Sequence, residues 1–236
     1  MSAVRAELES LLRARKLDVT LTTTATWRKE DDERLAPTGW ATLDTSLGGG
    51  LRRGHLSEII GARSSGRSTV FCRLAAAATT RGEVVALVDT HDRFDPASAT
   101  AAGVDLGRLL WIRDTGNAER ALKAMNLVLQ AGGFGVVAFD LADAGRMALR
   151  QFPHTTWMRL SRVIEGSVTV ALLIGSEHIA RSPGGVTITL DATPAARAGT
   201  WQGTNARARR LSGLEVRSRV ISARARLSCV SPHTTI

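Results

Sequence analysis

The chain has no tyrosine, and its 236 residues include only five tryptophans and five phenylalanines. A platform that stacks single-stranded bases on aromatic rings therefore has little to be built from. Cysteine is almost as scarce. Cys72 and Cys229 are too few for a disulfide framework and lack the spacing of a metal site. No apolar run approaches the roughly 18 residues of a membrane span. The charged stretch Met1–Lys16 has no apolar signal core, so a cytoplasmic protein without a membrane partner is expected. Acid is sparse near the C-terminus, where Arg207, Arg209, Arg210, Arg217, Arg219, Arg224 and Arg226 are balanced by Glu215 alone. The whole chain carries a net charge of +9. Such a stripe suits a polyanion or an acidic protein surface, with weak DNA binding among the readings. A merely solvated arginine-rich face is the plainer alternative.

What is present reads as one α/β domain with a helix and strand ahead of it. The hydrophobic fraction, 44%, is ordinary for a globular core. Residues 3–16 place Val4, Leu8, Leu11 and Leu12 at helical spacing, with an i,i+4 pair from Glu9 to Arg13. Val19–Ala25 is β-branched and reads as a lone extended strand, followed by a charged linker, Arg28–Arg34. A lone strand needs a sheet edge, so this arm suits a partner or a second copy. Strands are expected at Leu56–Ile60, Val84–Asp89, Leu109–Ile112, Gly135–Asp140, Val168–Ile174 and Val186–Leu190. Helices are expected at Ser68–Arg81, Ala97–Ala102, Ala118–Gly132 and Thr155–Glu165. The apolar runs within several strands fit a mostly parallel, twisted sheet covered by helices on both faces. From Leu214 the pattern alternates, with Leu214, Val216 and Val220 between Glu215, Arg217 and Arg219, as in a half-exposed antiparallel strand at the sheet's far end. The expected division is an arm at 1–37, the main domain at 38–227 and a mobile tail without periodicity at 228–236.

The segment Gly61-Ala62-Arg63-Ser64-Ser65-Gly66-Arg67-Ser68-Thr69 stands between an expected strand and an expected helix. It matches the phosphate-binding loop Gly-x-x-x-x-Gly-Lys-[Ser/Thr] at every fixed position except 67, where arginine replaces lysine. A planar guanidinium reaches phosphate differently from a compact ammonium. The glycines at 48–50 and 132–135 form no nucleotide fingerprint. Ser64 and Ser65 have no nucleophile motif around them. His178 beside Glu177 reads more simply as a satisfied strand-end histidine than as an acid/base pair. Trp157, Met158 and Leu160 read as core.

The order of motifs resembles the core of the RecA recombinases. The resemblance runs through Thr38-Gly39-Trp40-Ala41-Thr42-Leu43-Asp44, Leu47–Leu51 with Gly54, and Gly61–Thr69, where the family has Gly-Pro-Glu-Ser-Ser-Gly-Lys-Thr. It continues through Val88–Pro96, Gly103-Val104-Asp105, Asp114-Thr115-Gly116 and Val136–Asp140. It implies a RecA-like P-loop fold, with antiparallel strands at the C-terminal end. By the same resemblance Gly61, Gly66, Arg67, Ser68, Thr69, Asp95 and Asp140 mark a vestigial nucleotide site. Ser68 would hold magnesium, Asp140 would order its water, and Asp95 would contact the base. No metal site beyond that is implied, and no cofactor is required; residual ATP and magnesium binding stays open beside an inherited turn that holds a stray anion. The family's catalytic glutamate falls at His91, so no catalytic residue is assigned.

Beyond Asp140 the likeness fades. The segments Ala142–Pro153 and Arg181–Gly185, where RecA has long DNA-holding loops, are short, and Gly175-Ser176-Glu177-His178 stands where RecA has an Asn-Gln switch. A short RecA-like chain of this kind resembles the ImuA family of mutagenesis cassettes. That resemblance implies a non-catalytic adaptor in DNA-damage-induced translesion synthesis. Its partners would be an ImuB-like polymerase-related protein, RecA, and indirectly a DnaE-type error-prone polymerase. A DNA-stimulated ATPase and a SulA-type inhibitor of the division GTPase FtsZ are the other readings.

Overall fold

The computed structural model describes residues 34–180, 184–191, 199–202, 210–222 and 233–235. The expected helix at 3–16 and strand at Val19–Ala25 lie outside these residues, as do Arg207, Arg209, Arg224, Arg226 and Cys229. From Leu35 onward the chain forms one compact unit.

A short strand, β1 (Leu35–Ala36), pairs antiparallel with β2 (Leu51–Arg52) around a helix, α1 (Ala41–Leu47). The sequence offered no helical period here. The helix is held by a tertiary knot in which Asp44 Oδ1 accepts from both the Thr38 amide (2.8 Å) and the Thr38 hydroxyl (2.7 Å). Then come β3 (Leu56–Gly61), α2 (Arg67–Thr80), β4 (Val85–Asp89), α3 (Pro96–Ala101), β5 (Leu109–Arg113) and α4 (Ala118–Ala131). These are followed by β6 (Val136–Asp140), α5 (Arg146–Arg150), α6 (His154–Ile164), β7 (Val170–Gly175) and β8 (Val186–Asp191). The connection Ala142–Pro153, in which no helix was expected, carries α5; five residues are too few to show a period.

The strands form a twisted sheet in which β8, β3, β7, β6, β4 and β5 are neighbours in that order and all parallel. At its far end stand β9 (Gly199–Gln202) and β10 (Arg210–Ser222), with β10 antiparallel to both β8 and β9. The segment at 228–236, expected to lack structure, contributes β11 (His233–Thr235), which pairs with Glu215–Arg217. Backbone pairing with an edge needs no side-chain period, so sequence pattern could not show it.

The sheet is buried on both faces because its side chains alternate between two cores. Ile59, Leu87, Ala138, Leu172 and Ile188 pack with Leu43 of α1 and with Val70, Leu74, Ala75 and Ala78 of α2. Ala86, Val88, Phe139 and Leu173 pack with Met125 and Leu129 of α4 and with Trp157, Leu160 and Ile164 of α6. Met158, read as core, is 40% exposed, since α6 turns it outward. α4 starts at Asn117, whose side chain accepts from the Arg120 amide (2.9 Å), and stops at Gly132 with φ 68°.

The amino ends of the strands are clipped together by one charged cluster. Glu83, just before β4, accepts from Arg53 Nη2 (2.6 Å) and Arg81 Nε (2.9 Å). Arg53 also donates to the Val168 carbonyl before β7, and Arg81 donates to the Pro37 carbonyl. A Cβ on Gly135 would collide with the Glu83 side chain, so glycine is required just before β6.

Candidate functional site

The carboxyl ends of β3, β4, β6 and β7 converge on one rim, the usual place for a ligand in an open parallel sheet. β7 lies between β3 and β6. The loop after β3 and the acid ending β6 are therefore about 10 Å apart, two strand spacings. A cleft of that width fits a phosphate chain.

The loop Gly61–Gly66 bends over the N-terminus of α2. Ser64 and Gly66 take positive φ, 62° and 95°. A Cβ on Gly61 would strike Ser65 Oγ and approach the Leu190 carbonyl to 3.0 Å, so glycine is required at position 61 as well. Gly66 starts the helix with no side-chain cap, and α2 has no acidic residue in its first turn. Its first amides have no intrahelical partner, as at helix N-termini that bind anions. Arg67 Nη1 is fully buried without a hydrogen-bond partner, and so are Ser65 Oγ and Thr90 Oγ1.

A cleft of about 300 Å³ gathers Arg63, Arg67, Ser68, Asp89, His91, Arg93, Asp140 and Asp143. A second, about 360 Å³, shares Ser68, Arg93 and Asp140 with it and adds Thr69, Phe71, Cys72, Phe94, Asp95 and Ser98. Six of the residues expected from sequence thus meet: Gly61 and Gly66 build the loop, Arg67 and Ser68 open into the first cleft, and Thr69 and Asp140 border the second. Asp95 also borders the second, but its carboxylate caps α3. It accepts from the Ala97 amide (3.2 Å), the Ser98 amide (3.1 Å) and the Ser98 hydroxyl. Those bonds hold its pKa below the usual carboxylate value. Arg63, Arg93 and Asp143 were not assigned to the site from the sequence. Arg93 sits in the loop leaving β4 and pairs with Asp143 at 3.3 Å, a tertiary neighbour that no spacing rule announces.

The acids of the cleft are engaged. Asp89, 1% exposed, accepts from the His91 amide (3.3 Å), the Phe94 amide (2.8 Å) and Trp111 Nε1 (3.2 Å). Asp140 accepts from the Ala142 amide (2.9 Å). Burial pushes the Asp140 carboxyl up, the charges of Asp89 and Asp143 add to that, and the Ala142 hydrogen bond and Arg67 oppose it. The His91 ring lies 3.7 Å from where a Cβ on Gly116 would stand, so its flank packs on the Asp114–Asn117 turn. Asp92, with φ 55°, turns away to a bidentate pair with Arg113 (2.7 and 2.6 Å). The Arg113 guanidinium lies over the Trp111 ring at 4.7 Å. Burial, then the Asp95 charge, pushes the Cys72 thiol up to about 11, which leaves it un-ionised and unreactive.

His178 belongs elsewhere. Its Nδ1 lies 3.4 Å from Glu58 Oε2, and the buried Glu58 carboxylate also accepts from the Ile179 amide (3.1 Å), the Ala180 amide and the Thr187 hydroxyl (3.2 Å). This fastens the segment after β7 to the P-loop strand.

Of the arginine stripe, the described members are Arg210, Arg217 and Arg219, all on β10. Arg219 is exposed and 3.9 Å from Asp191, while Arg217 stands opposite Asp191 in the β8 register. Their strand lies at the sheet's far end. Among the described residues no cluster of three or more His, Cys, Asp or Glu could hold a metal, and no helix is long and apolar enough to cross a membrane.

The profile of the RecA N-terminal domain matches residues 21–147, more than half of the chain. Protein RecA of Symbiobacterium thermophilum is 43% identical over 110 residues, 46% of this chain and 31% of that protein. Protein RecA of Methylococcus capsulatus is 41% identical over 115 residues, covering 48% and 33%. For protein RecA of Deinococcus radiodurans the figures are 36% over 114 residues, 48% and 31%. The matched region spans about a third of the length of these relatives.

Proposed function

Since the chain belongs to the RecA N-terminal domain family, we infer that it is a non-catalytic RecA-like adaptor. In this reading it acts in DNA-damage-induced translesion synthesis. It binds an ImuB-like polymerase-related protein and RecA, with a DnaE-type error-prone polymerase engaged indirectly. The observation that carries the loss of catalysis is His91. An imidazole stands where the family's water-activating carboxylate belongs, and it lacks that group's negative charge. No neighbour substitutes for it: among the described residues, Asp89, Asp140 and Asp143 of the cleft each already have a hydrogen-bond or ionic partner. Asp92 is drawn off by Arg113. The pathway and the partners rest on the resemblance of this short chain to the ImuA family. The basic β10 and the Val19–Ala25 segment are the contact surfaces it favours, with weak DNA binding through the same arginines.

Phosphate release from ATP, measured with and without single-stranded DNA, tests the catalytic half; none above buffer is expected. DNA-dependent release that vanishes in Asp140→Ala overturns the reading in favour of a DNA-stimulated ATPase. Capture of the full chain by an ImuB-like partner tests the other half. Binding that survives deletion of both residues 1–25 and residues 205–236 removes the surface assignment.

A further inference from the structure

The helix α6 buries one face, through Trp157, Leu160 and Ile164, and turns the other to solvent. On the outer face stand Met158, Arg159, Arg162 and Val163, all exposed. Their spacings of three and four residues make them neighbours on the helix surface. A solvated helix face is ordinarily polar, whereas this one sets two apolar side chains among two arginines. Among the described residues neither guanidinium has a hydrogen-bond or ionic partner. Two unpaired like charges one turn apart repel each other until an anion separates them.

A cavity of about 220 Å³ opens beside this face. Residues 54–56, where β3 begins, line it on the sheet side, and Met158, Ser161, Arg162 and Glu165 line it on the helix side. It is smaller than the roughly 300–1,000 Å³ of a small-molecule site, and so suits a single side chain. Ser161 Oγ is buried there without a hydrogen-bond partner. Such a group is costly until a partner reaches it.

We propose that the outer face of α6 docks an acidic peptide segment of a partner protein. One apolar side chain of that segment fills the cavity against Met158, and carboxylates beside it pair with Arg159 and Arg162. A guanidinium fork takes a carboxylate through two hydrogen bonds at once, so the two arginines fix the segment's register. An apolar anchor in a pocket, ringed by polar contacts, is the usual centre of such an interface. A phosphate backbone could meet the arginines, but it has no apolar side chain for the cavity, and Glu165 at the rim would repel its regular row of charges. A peptide carries its acids at separate positions and can leave Glu165 unopposed. The cavity shares no lining residue with either cleft at the sheet's carboxyl rim, so the proposal does not rest on what those clefts bind or on the pathway inferred above.

The probe is a phage-displayed library of random dodecapeptides, selected on the full chain and counter-selected on a Met158→Glu, Arg162→Glu double variant. Peptides with an aromatic or leucine anchor beside paired acids are expected to be enriched. In fluorescence anisotropy, an enriched peptide is expected to bind at least about tenfold more weakly to Arg159→Glu or Arg162→Glu, as loss of a charge-assisted bond does. Both substitutions change exposed side chains, and thermal melts check that the variants stay folded. Ser161→Ala is expected to weaken the peptide while leaving Tm no lower than the parent's, because the orphaned hydroxyl adds nothing to folding. A merely structural serine would do the reverse. Enrichment of no peptide, of neutral or basic peptides, or of peptides that bind the double variant as well as the parent overturns the proposal. So does a single-stranded oligonucleotide whose binding, alone, is lost in Arg162→Glu, since the face then serves nucleic acid. A parent dimer in sedimentation that Met158→Glu dissociates also overturns it, in favour of an interface between copies. The hydrolysis and capture assays above share no readout with these, so failure of one reading is distinguishable from failure of the other.

Discussion

Asp89 and Asp140 stand opposite each other in the register of β4 and β6, two carboxylates side by side at the sheet's carboxyl rim. Asp89 has three donors; Asp140 has the Ala142 amide and a buried, like-charged setting. Its pKa therefore lies above the ordinary 3.8. A folded-state pKa raised in this way means that the native state holds its proton longer than the unfolded chain. Stability is fully present below pH 3.8 and declines as pH rises through the folded value. Asp140→Asn is expected to raise Tm at pH 7 and to leave it unchanged below pH 3.8, by about 2–4 °C for each kcal/mol gained. Thermal melts at the two pH values check this.

Arg67 and His91 both line the cleft, at the two positions where the family resemblance implies a lysine and a glutamate. Reversing both, in Arg67→Lys with His91→Glu, is expected to raise ATP hydrolysis above that of the parent. A positioned general base contributes roughly a hundredfold or more. Phosphate release by the double variant against each single variant is the measurement, and either single change alone is expected to fall short.

Glu58 shows how a buried charge can be purely structural. Its replacement by alanine leaves the Ile179 and Ala180 amides and the Thr187 hydroxyl without their acceptor. Unsatisfied buried donors cost about 1–3 kcal/mol each before relaxation, so a loss of roughly 3 kcal/mol in urea unfolding is expected.

At the amino rim, burial alone would raise the Glu83 carboxyl. The hydrogen bonds from Arg81 and Arg53 outweigh it and hold the pKa below the ordinary 4.5. A depressed folded pKa contributes stability that is present above pH 4.5 and lost as pH falls through the folded value. Glu83→Gln is expected to unfold more easily at pH 7 and to show a flatter loss between pH 5 and pH 3 than the parent. Melts across that range decide it.

Much of this architecture was legible in the chain. The β4, β6 and β7 strands were visible as unbroken apolar runs because both faces of each strand are covered. The loop at Gly61–Gly66 was legible because its glycines answer to backbone demands. The α1 helix was missed because a knot between Thr38 and Asp44 holds it, and α5 because five residues show no period. Arg93 and Asp143 met only through the fold, and His178 acquired its meaning from Glu58, 120 residues away in sequence. The Glu58 interaction is invisible to any local pattern, since it joins the middle of one strand to the exit of another.

The clip of Arg53, Glu83 and Arg81 lies at the rim opposite the cleft. Cohesion is thereby supplied away from the cleft as well as by the Glu58 cluster at the exit of β7. Arg67 and His91 stand outside that clip, whose members are Arg53, Glu83 and Arg81. A side chain of the cleft can therefore change without loosening the bonds that hold the amino ends of the strands together.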